Sequence, residues 1–162
     1  MKIVSKIINI IIIILTTVII IVDLYIMYQK LIKKEGTVKI GGYSAFIITS
    51  GSMEPTIKVD DLIIVKEQTT YNEQDIITYK NEKGSMITHR IMKIESDQEI
   101  YTKGDNNNTP DDPITLLQIQ GKMLFQIKNF GKIVEIMQSP ITIVIMIGLI
   151  FISLRMNTKE AR

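Results

Sequence analysis

The chain has 162 residues, of which 46% are hydrophobic, with no Cys, no Trp and one His. Without Cys there is no disulfide framework, no thiol nucleophile and no Cys-based zinc or iron–sulfur centre. One His excludes a multi-His metal cage and an HExxH helix, so any imidazole chemistry runs through His89.

The first element is an apolar helix. Ile7 to Val22 (IINIIIIILTTVIIIV) is 16 uncharged residues, ten of them Ile. At about −0.3 to −0.6 kcal/mol per Ile, the isoleucines alone favour a bilayer by roughly 3–6 kcal/mol. Sixteen helical residues reach only about 24 Å of a ~30 Å hydrocarbon core. The span therefore extends past Asp23 toward Tyr28 or back past Lys6, whose long side chain can snorkel. A cleaved leader would need a small-x-small site after the apolar run, and DLYIMY stands there instead. The expectation is an anchor over residues 1–28.

The central segment, 29–134, carries 14 basic and 14 acidic side chains, so the net charge of +2 comes from the flanks. A neutral domain argues against a nucleic-acid partner, which requires a basic face. Its apolar runs are short and β-branched. Strands are expected at Ser44–Thr49, Asp61–Lys66, Asp75–Tyr79, Met86–Ile94, Glu99–Lys103 and Gln118–Lys128. GSMEPT, TTYNEQ, NEKGS, ESDQE and GDNNNTPDDP separate them as turns. The pattern predicts a small barrel or sandwich, preceded by a linker-like stretch from Lys30 to Gly42. A second apolar element follows. Glu135 and Arg155 bracket 19 uncharged residues with no polar face, which reads as a C-terminal membrane helix over 135–155 that starts near Pro140. Residues 156–162 form a short solvated tail.

Three segments carry residues suited to chemistry. In ITSGSMEPT, Gly51 permits a sharp turn that presents Ser52, and Ser50 can reach the same spot. In ITHRI, alternation puts Ile87, His89 and Ile91 on one face, so His89 points inward, where it serves either as a packed core residue or as a general base. In YTKGDNNNTPDDP, the turn carries Asp105, Asp111 and Asp112. Its D-x-N spacing lacks the Gly and Glu of a calcium loop. Taken together, a Ser on a Gly turn, a strand His and an Asp-bearing turn supply nucleophile, base and orienter.

The combination SGSMEPT, a downstream THR and KGDNN resembles type I signal peptidases. The likeness covers roughly Ile47 to Lys122 plus the N-terminal anchor. Within that group it is similar to the Ser/His branch of archaea, the endoplasmic reticulum and the SipW-like enzymes. The main bacterial branch has Lys where this chain has His89, before an Arg that is Arg90 here. The resemblance implies a mainly β fold, a small signal-peptidase-like domain flanked by N- and C-terminal transmembrane helices. It implies Ser52 as nucleophile, His89 as general base, and Asp105 as acidic partner. It also implies a second Asp, with spacing favouring Asp111 over Asp112, and an oxyanion hole from Ser50 and the Ser52 N–H. No cofactor or metal is implied. The expected substrates are precursor proteins bearing signal peptides, cut after small side chains at positions −1 and −3. The expected surroundings are membrane lipid and the secretion machinery.

Signal-peptide junctions lie outside the cytoplasm, so 29–134 is expected on the extracytoplasmic face of the cell membrane with both termini cytoplasmic. The Lys/Arg count points the other way, with five at the termini and seven at the near-membrane ends of the central segment. That rule is weak for a long loop. Two other readings are a Ser/Lys protease using Lys93 or Lys103, and a non-catalytic anchored β domain that binds precursors.

Overall fold

The computed structural model describes residues 2–31, 39–97, 99–137 and 139–160. The chain divides into two compact units. One comprises Met1–Glu35 with Ile133–Arg162, the other Gly36–Lys132.

The second unit is built on one antiparallel sheet. Its strands are β1 (Tyr43–Ile47), β2 (Leu62–Lys66), β3 (Ile76–Lys80), β4 (Met86–Ser96), β5 (Glu99–Lys103) and β6 (Ile119–Ile127). All six expected strands are present, with boundaries moved by no more than two residues. The sheet order is β1-β2-β6-β3-β4-β5. The expected barrel or two-sheet sandwich is thus corrected to a single six-stranded sheet whose end strands are β1 and β5. The last strand returns to the middle and pairs antiparallel with both β2 and β3.

Two aspartates hold β6 there. Asp61, 2% exposed, precedes β2. It accepts the Lys58 N–H at 2.9 Å on one oxygen and the Asn129 N–H, just beyond β6, at 2.9 Å on the other. Asp75 precedes β3 and repeats the arrangement. It accepts the Asn72 N–H at 3.0 Å and pairs with Lys122 of β6 at 2.6 Å. In each case the residue before the aspartate has positive φ, 69° at Asp60 and 74° at Gln74.

The core falls into two clusters. Ile48, Met53, Ile57, Ile63, Val65 and Ile76 form one. Ile77, Tyr79, Ile91, Ile100, Ile114 and Ile119 form the other. Each fully buried Ile contributes about 1.5–3 kcal/mol relative to exposure. Tyr79, Thr78, Thr102 and His89 are buried among these aliphatic neighbours, which prepares the site described below.

In the first unit, α1 spans Lys2–Leu31 and α3 spans Pro140–Glu160; a short helix, α2 (Gly131–Met137), precedes α3. The expected single helix over 135–155 is therefore broken. Pro140, which has no N–H to continue a helix from α2, opens α3, and the Ile143 N–H bonds back to the Ser139 carbonyl at 3.1 Å. The expected tail at 156–162 is helical through Glu160. Most of the Lys30–Gly42 linker lies outside the described residues, as do Ala161 and Arg162. The Thr16 and Thr17 hydroxyls donate to carbonyls one turn back, and Ser153 of α3 donates to Asn9 of α1 at 2.6 Å. Among the described residues no single helix is long and apolar enough to cross a membrane. The apolar run Asn9–Tyr25 is short of that length, and Gly131–Met137 with Pro140–Ser153 reaches it only as a bent pair.

Left-handed backbone costs a residue with a Cβ roughly 1–2 kcal/mol, which glycine avoids. Gln74 is exposed, so its side chain contributes little packing. Gln74→Gly is expected to raise stability by about 0.5–1 kcal/mol after the extra unfolded-chain entropy of glycine is subtracted. Thermal melting of the detergent-solubilised protein measures this, and an unchanged or lower midpoint contradicts it.

Candidate active site

The Ser52 loop hangs between two buried anchors. After β1, the Ile48 N–H bonds to the Asp61 carbonyl and the Asp60 N–H returns to the Ile48 carbonyl, both at 2.9 Å. Ser50 is extended, with φ −134° and ψ 155°, and Gly51–Met53 form one 3-10 turn. Met53 and Ile57 are 1% and 0% exposed. With both ends of the loop sunk in the core, Ser52 is left half-buried at its crest. The Ser50 and Ser52 hydroxyls are 3.3 Å apart.

His89 sits in the middle of β4, opposite Ile77 of β3, and is 5% exposed. Its Nε2 lies 3.2 Å from Ser52 Oγ. Its Nδ1 lies 2.5 Å from Asp111 Oδ2. A carboxylate can only accept, so Nδ1 carries the proton and Nε2 offers its lone pair to the Ser52 hydroxyl. Asp111 is positioned through its own backbone, whose N–H bonds to the Thr102 carbonyl at 2.8 Å. The same Oδ2 also accepts the Thr102 hydroxyl at 2.6 Å and the Tyr79 hydroxyl at 3.1 Å. Burial pushes the Tyr79 phenol up to about 12, so it stays protonated as a donor at neutral pH.

The turn after β5 rests directly on the Ser52 loop. Asn106 donates its N–H to the Ser52 carbonyl at 2.8 Å and its side-chain amide to the Gly51 carbonyl at 3.3 Å. A Cβ on Gly104 would stand 2.5 Å from the Ser52 carbonyl oxygen, so only glycine fits that position. This is the physical reason for the Gly in KGDNN.

The three acidic candidates separate. Asp111 meets the imidazole. Asp105 does not: it takes Arg90 Nε at 2.9 Å and Nη2 at 2.7 Å, and accepts the Thr56 hydroxyl at 2.5 Å. Of the two aspartates expected to hold the imidazole, Asp105 or Asp111, it is Asp111 that lies against His89. His89 and Arg90 are neighbours on a strand and face opposite sides, so each takes a different carboxylate. Asp112 is exposed. The Lys93 ammonium pairs with Glu95. Sequence reasoning missed Thr102, Tyr79 and Thr56. The signal for the first two was a polar residue on an inward position, Thr102 in phase with Ile100 and Tyr79 in phase with Ile77.

Ser50, Ser52, His89 and Asn107 border a cleft of about 270 Å³, whose apolar walls come from Phe46, Ile48, Met53 and Ile87. The Ser52 hydroxyl and the His89 imidazole border this cleft, and the Asp111 carboxylate stands behind the ring on its Nδ1 side. Among the described residues no group of three or more His, Asp or Glu could hold a metal ion.

The Arg90 fork and the Thr56 hydroxyl hold the Asp105 carboxyl below its ordinary value of 3.8. The stabilisation is thus complete above that value and disappears as pH falls through the lowered one. Charge-assisted hydrogen bonds are worth about 1.5–3 kcal/mol. Asp105→Asn is expected to destabilise the protein by that amount at pH 7, with the gap closing in acid below pH 3.8. Melting curves of both proteins across pH measure it. A gap that is constant with pH contradicts the assignment.

A model of the family described as Peptidase S24-like matches residues 18–124. Signal peptidase I W of Bacillus subtilis (strain 168) is 34% identical over 117 residues, covering 68% of this chain and 59% of that protein. The signal peptidase complex catalytic subunit SEC11 of Saccharomyces cerevisiae (strain YJM789) is 34% identical over 67 residues, 38% of this chain and 40% of that subunit. The chain therefore spans less than two thirds of the length of these relatives. The family match takes in the whole constellation from the Ser52 loop through His89 to Asp111 and extends over more than half of the chain, and on that extent the chain belongs to the Peptidase S24-like family.

Proposed function

We propose that the chain is a membrane-bound serine endopeptidase that removes N-terminal signal peptides from exported precursor proteins. The observation that carries this reading is the alignment of Ser52 Oγ, His89 and Asp111 beside the cleft, at 3.2 and 2.5 Å. The names of the relatives supply the substrate class.

Ser52 Oγ attacks the carbonyl carbon of the scissile bond while its proton passes to His89 Nε2. The imidazolium that results is stabilised by Asp111 across Nδ1. The carbonyl oxygen becomes an oxyanion, received by the Ser50 hydroxyl and the Ser52 N–H; one well-placed donor contributes about 3–4 kcal/mol. Collapse breaks the C–N bond, and the Nε2 proton goes to the leaving amine. Water, activated by the same imidazole, then hydrolyses the acyl-enzyme. Arg90, Asp105 and Thr56 hold the Ser52 loop against β4. Lys93 is engaged with Glu95 and neither Lys93 nor Lys103 borders the cleft, whereas His89 lies 3.2 Å from Ser52, which favours His89 over the Ser/Lys alternative.

In this reading α1 and the α2–α3 segment anchor the chain. Most of the described isoleucines of α1 and α3 stand exposed, Ile21 at 60% and Ile141 at 72%, as residues facing lipid do. Residues 1–28 and 135–155 lie in the membrane, 29–134 is the extracytoplasmic catalytic domain, and the termini are cytoplasmic. Precursors and lipid are its partners, alongside the secretion machinery.

Ser52→Ala and His89→Ala are each expected to lower precursor cleavage by on the order of 10⁴-fold or more. A timed assay in detergent or liposomes measures this, and equal processing by all three proteins ends the proposal. Externally added protease is expected to degrade the central domain in intact spheroplasts. Full protection there overturns the orientation.

A further inference from the structure

Three donors converge on one oxygen atom. Asp111 Oδ2 takes His89 Nδ1, the Thr102 hydroxyl and the Tyr79 hydroxyl, at 2.5, 2.6 and 3.1 Å. Thr102 is 0% exposed and Tyr79 2%, inside a cluster otherwise made of isoleucines. A hydroxyl in such a place is costly unless it is satisfied, and Val or Phe would fill the same space without that requirement. The Thr102 hydroxyl also lies 3.4 Å from the Tyr79 oxygen, too long to substitute for its bond to Asp111. Neither hydroxyl touches the cleft.

We propose that Thr102 and Tyr79 are positioning residues, whose hydroxyls clamp the Asp111 carboxylate and thereby set both the orientation of His89 and its basicity. The inference rests on the serine-peptidase reading above and adds two residues to it. The clamp works in two ways. It fixes the carboxylate from β3 and β5 while β4 carries the imidazole, so Nε2 stays in line with Ser52. It also divides the charge of Oδ2 among three donors. With fewer competing donors, the carboxylate stabilises the imidazolium more strongly and the base is protonated at higher pH.

Other groups bear on the same titration. The other charged groups nearby are Asp105, which is bound to Arg90 and feels His89 through space, and Asp112, which helps raise the Tyr79 phenol. Ser52 and the edge-on Tyr79 ring, which Phe retains, also neighbour the imidazole. None of these changes in the variants that follow, so a shift is assignable to the deleted hydroxyl.

The test is the pH dependence of kcat/KM for cleavage of a signal-peptide-bearing precursor by the full chain in detergent micelles. Thr102→Val and Tyr79→Phe are expected to move the acid limb upward by about half a pH unit and to lower kcat by about tenfold, with little change in Tm. Thr102→Ser keeps the hydroxyl and loses a methyl. It is expected to melt lower yet follow the wild-type acid limb. Superimposable profiles for wild type, Thr102→Val and Tyr79→Phe overturn the clamp, as does a Thr102→Ser profile shifted as far as that of Thr102→Val. Ser52→Ala separates this inference from its foundation. If that variant cleaves, the serine-peptidase reading falls and the clamp with it; if it is inactive and the profiles superimpose, the clamp alone falls.

Discussion

The contact on which the site depends is made by backbone. Gly104 lies so close to the Ser52 carbonyl that a methyl group would overlap it, and Asn106 locks the approach with its N–H. Two loops distant in sequence are thereby pressed together backbone to backbone, with the Asn106 amide and the Thr56–Asp105 bond adding to the contact. The strands on which they ride then fix everything else. The Ser52 loop comes off β1 and the Gly104 turn off β5, at opposite ends of the sheet order, and β4 brings His89 beneath both. A side-chain contact has rotamers and slack. A backbone contact backed by two β-strands has little, and an in-line proton transfer over about 3 Å needs that rigidity.

The polar groups beneath the cleft are held to a different standard from the aliphatic core around them. Burying a hydroxyl or carboxylate without partners costs several kcal/mol, and a half-satisfied network is worse than none. Here Oδ2 of Asp111 is fully engaged, and both His89 nitrogens have partners. Replacing such a network by apolar residues of similar volume is often neutral or stabilising. Its presence between Ile77, Ile91 and Ile100 is therefore better understood as specifying geometry than as adding stability.

The strands were legible because each run of β-branched residues is short, alternates and stops at a turn signal. The turns before β2 and β3 were also written locally, as an aspartate three residues after the amide it accepts. The sheet order was not legible. Placing β6 between β2 and β3 depends on Asp61 reaching Asn129 and Asp75 reaching Lys122, and nothing local to either partner announces those pairs. The same holds in the site. Ser52, His89 and the acidic turn could be named from their motifs and the family resemblance these carry, but Asp105 and Asp111 could not be sorted. Which one meets the imidazole depends on how residues 104–113 fold back along β5. Once Asp105 is drawn to Arg90 on one face of β4, the other face is left to Asp111. Thr102 and Tyr79 stayed hidden because a polar residue in an inward phase looks like noise until its partner is known.

The neutrality of the central domain acquires a structural meaning from these contacts. Asp60 pairs with Lys132, Asp75 with Lys122, Asp105 with Arg90 and Asp111 with His89, while Asp61 binds two backbone amides. Each of these aspartates lies outside the strands and fastens a turn to a strand, to a neighbouring turn or, for Asp60, to the first turn of α2. Four of these aspartates meet a basic side chain or the imidazole and one meets backbone amides, so a share of the acidic charge serves to close loops onto the sheet. In the proposed mechanism the one histidine joins that pattern as the member whose charge changes, since Asp111, which ties the turn after β5 to β4, is the carboxylate that would receive the imidazolium.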